Sequence, residues 1–101
     1  QGHDAYKLST STVQGLLDSL ATQTGLPVYI TEYDINLADD TQQSQVMQSQ
    51  FTMFWNDPNV KGITLWGYIE GATWETNTGL MTSSGTMRPA MTWLVNFLKT
   101  H

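Results

Sequence analysis

Apolar side chains recur along the chain in three helical stretches and two strand-like ones. From Ser11 to Thr22, Val13, Leu16, Leu17, Leu20 and Ala21 fall at helical spacing, with Ser9 or Ser11 placed to cap the first free N–H groups. Gly25 stops that helix. Pro27 then opens Val28-Tyr29-Ile30-Thr31-Glu32-Tyr33-Asp34, a run of β-branched and aromatic residues that predicts a strand. Asn36 to Thr41 is a polar loop. Val46, Met47, Phe51, Phe54 and Trp55 form the stripe of a second helix, ended by Asn56-Asp57-Pro58 because the residue before a proline resists the helical conformation. Val60 to Gly67 predicts a second strand, followed by a long loop holding Gly71, Gly79 and Gly85. Pro89 suits a first helical position, and Met91, Trp93, Leu94, Phe97 and Leu98 give the last helix its apolar face.

The resulting order, α-β-α-β-α, places the chain in the α/β class with parallel strands joined by right-handed crossovers. Parallel sheets are normally covered on both faces and rarely stop at two strands, whose edges would stand unpaired. The pattern therefore predicts a part of something larger. A (β/α)8 barrel takes about 250 residues, so this chain would supply about its last third. No internal repeat, low-complexity tract or linker-like segment interrupts it.

Charge narrows the function. Nine acidic residues against four basic ones give a net charge of −5. Lys7, Lys61, Arg88 and Lys99 stand singly, which argues against nucleic acid and against an anionic membrane surface as partners. No apolar run approaches the roughly 20 residues that span a bilayer. Gln1-Gly2-His3-Asp4 has neither the basic start nor the apolar centre of a signal peptide. Without cysteine there is no disulfide framework and no thiolate metal site. What is abundant is neutral polar surface together with 4 Trp, 4 Tyr and 3 Phe. That mixture suits an uncharged, hydroxyl-rich ligand such as a glycan, and equally an ordinary secreted-type surface.

Candidate chemistry gathers where the strands end. Along an extended strand Ile30, Glu32 and Asp34 share one face, with Thr31 and Tyr33 on the other. A carboxylate closing an apolar strand is costly unless water, a partner or a substrate meets it, although capping the next loop explains it too. In a parallel barrel that end of the strand is where active sites form. Trp66 closes the second strand and Trp74 follows in the loop. Two indoles at a rim can wall a sugar site, each worth about 1 kcal/mol beyond the area it buries, while a single Trp66 packed in a core would be unremarkable. Glu70 and Glu75, in the same loop, read as solvated or ligand-contacting. A lone histidine is usually structural. If a strand ended near His3, however, its imidazole would share the rim with Glu32 and Asp34, and bonds to both would favour an ionised Glu32. As a metal site, His3, Glu32 and Asp34 match no established ligand spacing.

Gln1-Gly2-His3, Ile30-Thr31-Glu32-Tyr33-Asp34, Leu65-Trp66-Gly67 and Ala72-Thr73-Trp74, followed by Gly79-Leu80 and Arg88-Pro89-Ala90, resemble glycoside hydrolase family 10, whose members are chiefly endo-β-1,4-xylanases. The resemblance covers essentially the whole chain. It implies that residues 1–101 are the C-terminal segment of that family's catalytic (β/α)8 barrel, about strands seven and eight with their flanking helices. By position, Glu32 resembles the catalytic nucleophile, His3 the histidine bonded to it, and Asp34 the carboxylate supporting the histidine. Trp66 and Trp74 resemble the aromatic pair beside the scissile bond, and Gln1 the glutamine at the end of strand six. The loop departs from many relatives, which carry an aspartate and a Ser-Trp pair where this chain reads Glu70-Gly71-Ala72-Thr73-Trp74.

The resemblance implies double displacement with retention, acting on xylan or a xylo-oligosaccharide and needing neither metal nor cofactor. Two carboxyl groups about 5 to 5.5 Å apart would flank the bond, one attacking and the other protonating the leaving oxygen. The family's acid/base glutamate follows an asparagine. This chain holds no Asn-Glu pair, and its only glutamates are Glu32, Glu70 and Glu75. The expectation is a segment that supplies the nucleophile but not the acid, is inactive alone, and needs the rest of its barrel as partner. Secretion follows from the same resemblance. A non-catalytic glycan-binding domain using Trp66 and Trp74 is the competing reading, and mixed cellulase activity stays open within the enzyme class.

Overall fold

The helices begin and end where their terminal groups find partners. The computed structural model describes residues 1–101. Of the two candidate caps it is Ser9 that opens α1 (Thr10–Thr24), its hydroxyl accepting from the Thr12 N–H at 3.2 Å. Gly25 closes α1 with φ +65°, a left-handed conformation in which a side chain would be strained. β1 covers Val28–Tyr33. The Asp39 carboxylate then caps α2 (Asp40–Asn56) through the Gln42 N–H at 2.8 Å. β2 covers Val60–Leu65, and Pro89 is the first residue of α3 (Pro89–Thr100).

β1 and β2 pair in parallel, with Val28 opposite Val60, Tyr29 opposite Gly62, Ile30 opposite Ile63 and Tyr33 opposite Leu65. Between the last two pairs β1 spends one residue more than β2, so the strand bulges at Thr31-Glu32. Simple alternation therefore fails there. Tyr33 and Asp34, expected on opposite faces, are both buried. Glu32 carries the irregularity in its backbone, with φ +51°. For a residue with a Cβ that region costs roughly 1–3 kcal/mol, and bulges of this kind re-aim side chains.

The core joins Val13 and Leu17 of α1, Ile30 and Tyr33 of β1, Met47, Phe51 and Phe54 of α2, and Leu94 of α3. Tyr29, Thr31, Lys61 and Thr64 are exposed on the strands, so one face of the sheet is left bare. Leu16 and Leu20, expected to be buried with their helix's stripe, are 56% and 53% exposed and line an open apolar groove with Val28 and Tyr29. Their helical periodicity is right. No element of this chain covers that flank of α1. No helix is long and apolar enough to cross a membrane.

The N-terminal segment is tied to the sheet directly and by way of Gln50 on α2. The Gly2 N–H donates to the Thr31 carbonyl at 2.9 Å. A Cβ on Gly2 would stand 3.1 to 3.4 Å from Tyr33, so the approach suits a glycine. Deeper in, the Tyr33 hydroxyl donates to Gln50 Oε1 at 2.7 Å while Gln50 Nε2 donates to the Ala5 carbonyl at 2.7 Å. Burial, with a smaller contribution from Asp34, pushes the Tyr33 phenol far above its ordinary range and keeps it a donor. Tyr33→Phe in the intact protein should leave Gln50 Oε1 without a donor and cost about 1–2 kcal/mol in denaturant unfolding.

Candidate active site

Three pieces of backbone meet at the C-terminal end of β1: residues 1–3, the bulged strand end, and the loop after β2. The bulge turns Glu32 toward the first residues of the chain. Its Oε2 accepts from Gln1 Nε2 at 2.9 Å, and its Oε1 lies 3.2 Å from His3 Nε2. The other imidazole nitrogen, Nδ1, lies 2.8 Å from Asp34 Oδ2. Glu32 keeps a quarter of its side chain exposed, whereas the Asp34 side chain is 2% exposed. The order is thus a reachable carboxylate, a half-buried imidazole and a buried carboxylate.

Both ring nitrogens of His3 face acceptors, and only the imidazolium can donate to both. Burial of the ring lowers its pKa. The bonds to Asp34 and Glu32, with the charge of those two carboxylates, outweigh that effect and leave it raised above 6.5. No group of three or more His, Asp or Glu side chains here is arranged to hold a metal ion.

The indoles complete the rim. Trp74 Nε1 donates to Asp34 Oδ2 at 2.5 Å, and its ring lies 4.5 Å from that of His3, tilted by 52°. Trp66 meets His3 edge-on, 6.5 Å away at 75°. Both are about half exposed, so Trp66 is a rim residue just beyond β2 rather than part of the core. Gln1, His3, Glu32, Asp34, Trp66 and Trp74 therefore stand together, although Gln1 and Trp74 are far apart in sequence.

Glu70 departs from expectation. It is neither solvated nor aimed at a ligand: its two carboxylate oxygens accept the N–H groups of Asn77 and Gly79, each at 2.9 Å. Glu75 accepts from Asn36 Nδ2 at 2.9 Å, joining the loop after β1 to the loop after β2. Sequence reasoning also passed over Gln43 and Arg88, both buried beneath these loops. A signal existed for each: Gln43 is a polar residue on the buried stripe of α2, and Arg88 immediately precedes the first residue of α3.

The raised pKa of His3 has a sign in stability. Its charged form stabilises the fold fully below the unfolded value near 6.5, and that contribution is lost as pH rises through the higher folded value. The stability gap between the intact protein and its His3→Gln variant should therefore be widest near about pH 5 and narrow toward about pH 9 in urea titrations. A gap independent of pH would rule out the imidazolium.

Similarity to known proteins bears on what this rim belongs to. The chain is 46% identical over 96 residues to endo-1,4-beta-xylanase B of Cellvibrio japonicus, covering 95% of this chain and 16% of that protein. It is 30% identical over 73 residues to anti-sigma-I factor RsgI6 of Acetivibrio thermocellus, covering 72% of this chain and 10% of that one. Its fold matches xylanase 10B of Thermotoga petrophila, solved with xylobiose, at a TM-score of 0.77 and 23% identity, over 94% of this chain and 33% of the other. A β-glucuronidase of an uncultured Clostridium superposes at a TM-score of 0.78 with 14% identity, over 91% of this chain and 19% of the other, a likeness of fold alone. The chain thus spans only a small part of each relative, and its α/β arrangement fits a fragment of a (β/α)8 barrel. The sequence profile of glycosyl hydrolase family 10 matches residues 1–97, and the chain belongs to that family.

Proposed function

We propose that this chain is the C-terminal segment of the catalytic barrel of a retaining endo-β-1,4-xylanase, in which Glu32 is the nucleophile. The observation that carries the reading is the Glu32 carboxylate itself. It is fixed by Gln1 and His3 from two sides, stays partly exposed, and lies at a rim with two half-exposed indoles. A nucleophile needs a defined direction of attack, and two hydrogen bonds to one carboxylate supply it. His3 in its imidazolium form is the counter-charge, and Asp34 orients it. Trp66 and Trp74 offer flat apolar faces to pyranose rings, suiting xylan or a xylo-oligosaccharide.

The reaction runs in two displacements. Glu32 attacks the anomeric carbon, the bond to the leaving oxygen breaks as an acid protonates it, and water then releases the sugar from Glu32 with retention. That acid is not in this chain. Glu70 is spent on backbone N–H groups and Glu75 on Asn36. It comes from the rest of the barrel, whose packing also covers the bare face of the sheet and the flank bearing Leu16 and Leu20. The 101 residues alone are accordingly inactive. Xylan is an extracellular polymer, so the intact enzyme works outside the cell.

One observation keeps a second reading, a non-catalytic glycan-binding domain using Trp66 and Trp74. A relative that carries a similar stretch is named as an anti-sigma-I factor and not as a hydrolase. Glu32→Ala in the intact protein separates the two. An enzyme loses xylan turnover by a factor on the order of 10⁴ or more while keeping most of its oligosaccharide affinity. A protein that binds xylo-oligosaccharide equally with and without Glu32, and never releases reducing sugar, is a binder.

A further inference from the structure

Between the end of β2 and the start of α3 the chain runs 23 residues without a helix or a named strand, and Trp74 stands on that loop. Such a loop holds a side chain in place only if its backbone is tied down. The ties converge on Asn77-Thr78-Gly79. On one side the Glu70 carboxylate takes the N–H groups of Asn77 and Gly79. From the other, Arg88 Nη1 donates to the carbonyls of Asn77 at 3.1 Å and Gly79 at 2.8 Å. Gln43 Nε2 reaches the Gly79 carbonyl at 3.1 Å and that of Ile35 at 3.3 Å.

Arg88 does more than hold one loop. Its Nη2 donates to the carbonyls of Leu37 at 2.7 Å and Ala38 at 3.3 Å, in the loop after β1, and its Nε donates to Asp40 Oδ1 at 2.8 Å. One planar guanidinium thus spans both loops that bound the site, a task its fixed fork suits and an ammonium does not. The grip leaves no spare room. A Cβ on Gly79 would lie 2.6 to 2.7 Å from Glu70, and Asn77 is forced to φ +69°. Upstream of this clamp, Thr78 Oγ1 donates to the Glu75 carbonyl at 2.7 Å, next to Trp74.

We propose that Glu70 and Arg88 are positioning residues of the sugar site, which set the place of Trp74 above His3 and Asp34 by clamping Asn77–Gly79 from opposite sides. The inference rests on the reading of Trp74 as a wall of that site. Neither residue touches substrate. Both act through the indole.

The test is a double-mutant cycle in the intact protein, with xylohexaose as substrate and with Glu70→Gln and Arg88→Lys made singly and each combined with Trp74→Ala. Glu70→Gln keeps the shape and replaces one acceptor by a donor. Arg88→Lys keeps the charge beside Asp40 and loses the fork. Each single variant should raise KM about five- to tenfold with kcat within about twofold, as expected when uniform binding is lost. Added to Trp74→Ala, neither should raise KM further. Thermal unfolding of every variant is recorded, so that Glu70→Gln carries the test if Arg88→Lys does not fold. Equal KM values for the singly substituted and unsubstituted proteins, even with a lowered Tm, overturn the proposal, as do effects that add to that of Trp74→Ala. Failure of the unsubstituted protein to cleave or bind xylohexaose overturns the reading of the site and the clamp with it.

Discussion

An imidazole lodged between two carboxylates is the interaction on which the rest of this structure depends. His3 can bond Glu32 and Asp34 together only as a cation, and it does so from a segment with no regular structure of its own. Much of the surrounding fold serves to bring that segment in. Gly2 lets the backbone close on Tyr33, Gln50 takes hold of Ala5, and the bulge in β1 turns Glu32 toward the ring. Without the bulge, strict alternation would leave the strand end aimed differently, and the positive φ at Glu32 is the cost of that turn.

The rim divides its side chains between a rigid strand end and a loop. Glu32 and Asp34 come from a strand terminus, fixed by its pairing with β2. Trp74 comes from a loop that has no ladder to hold it, so side chains substitute for one. Backbone N–H groups go to Glu70 and backbone carbonyls to Gln43 and Arg88, satisfying polar groups that would otherwise be buried at a cost of about 1–3 kcal/mol each. The indole N–H closes the circle by donating to Asp34.

Family membership and the proposed activity stand on different ground. The match to glycosyl hydrolase family 10 covers nearly the whole chain, whereas the chain covers 16% of the Cellvibrio japonicus xylanase and 33% of the Thermotoga petrophila xylanase 10B chain. The bare sheet face and the exposed Leu16 and Leu20 of α1 are compatible with those fractions, since a fragment of a (β/α)8 barrel leaves such surfaces uncovered.

The sequence by itself determined the local features. Helical and strand periods, Ser9, Gly25 and Pro89 as terminators, and the acidic strand end are properties of neighbours a few residues apart, legible because propensity and capping act over one turn. The family resemblance also named Gln1, His3, Glu32, Asp34, Trp66 and Trp74 together. What only the tertiary structure decided was which polar groups meet. Nothing in the spacing separates a solvated Glu70 from one closed on Asn77 and Gly79, or shows that Arg88 reaches carbonyls 9 to 51 residues away. Nor does alternation reveal an extra residue in β1. Hydrogen-bond partners and bulges are set by how elements dock, and docking is a balance of long-range contacts that no local window of residues contains.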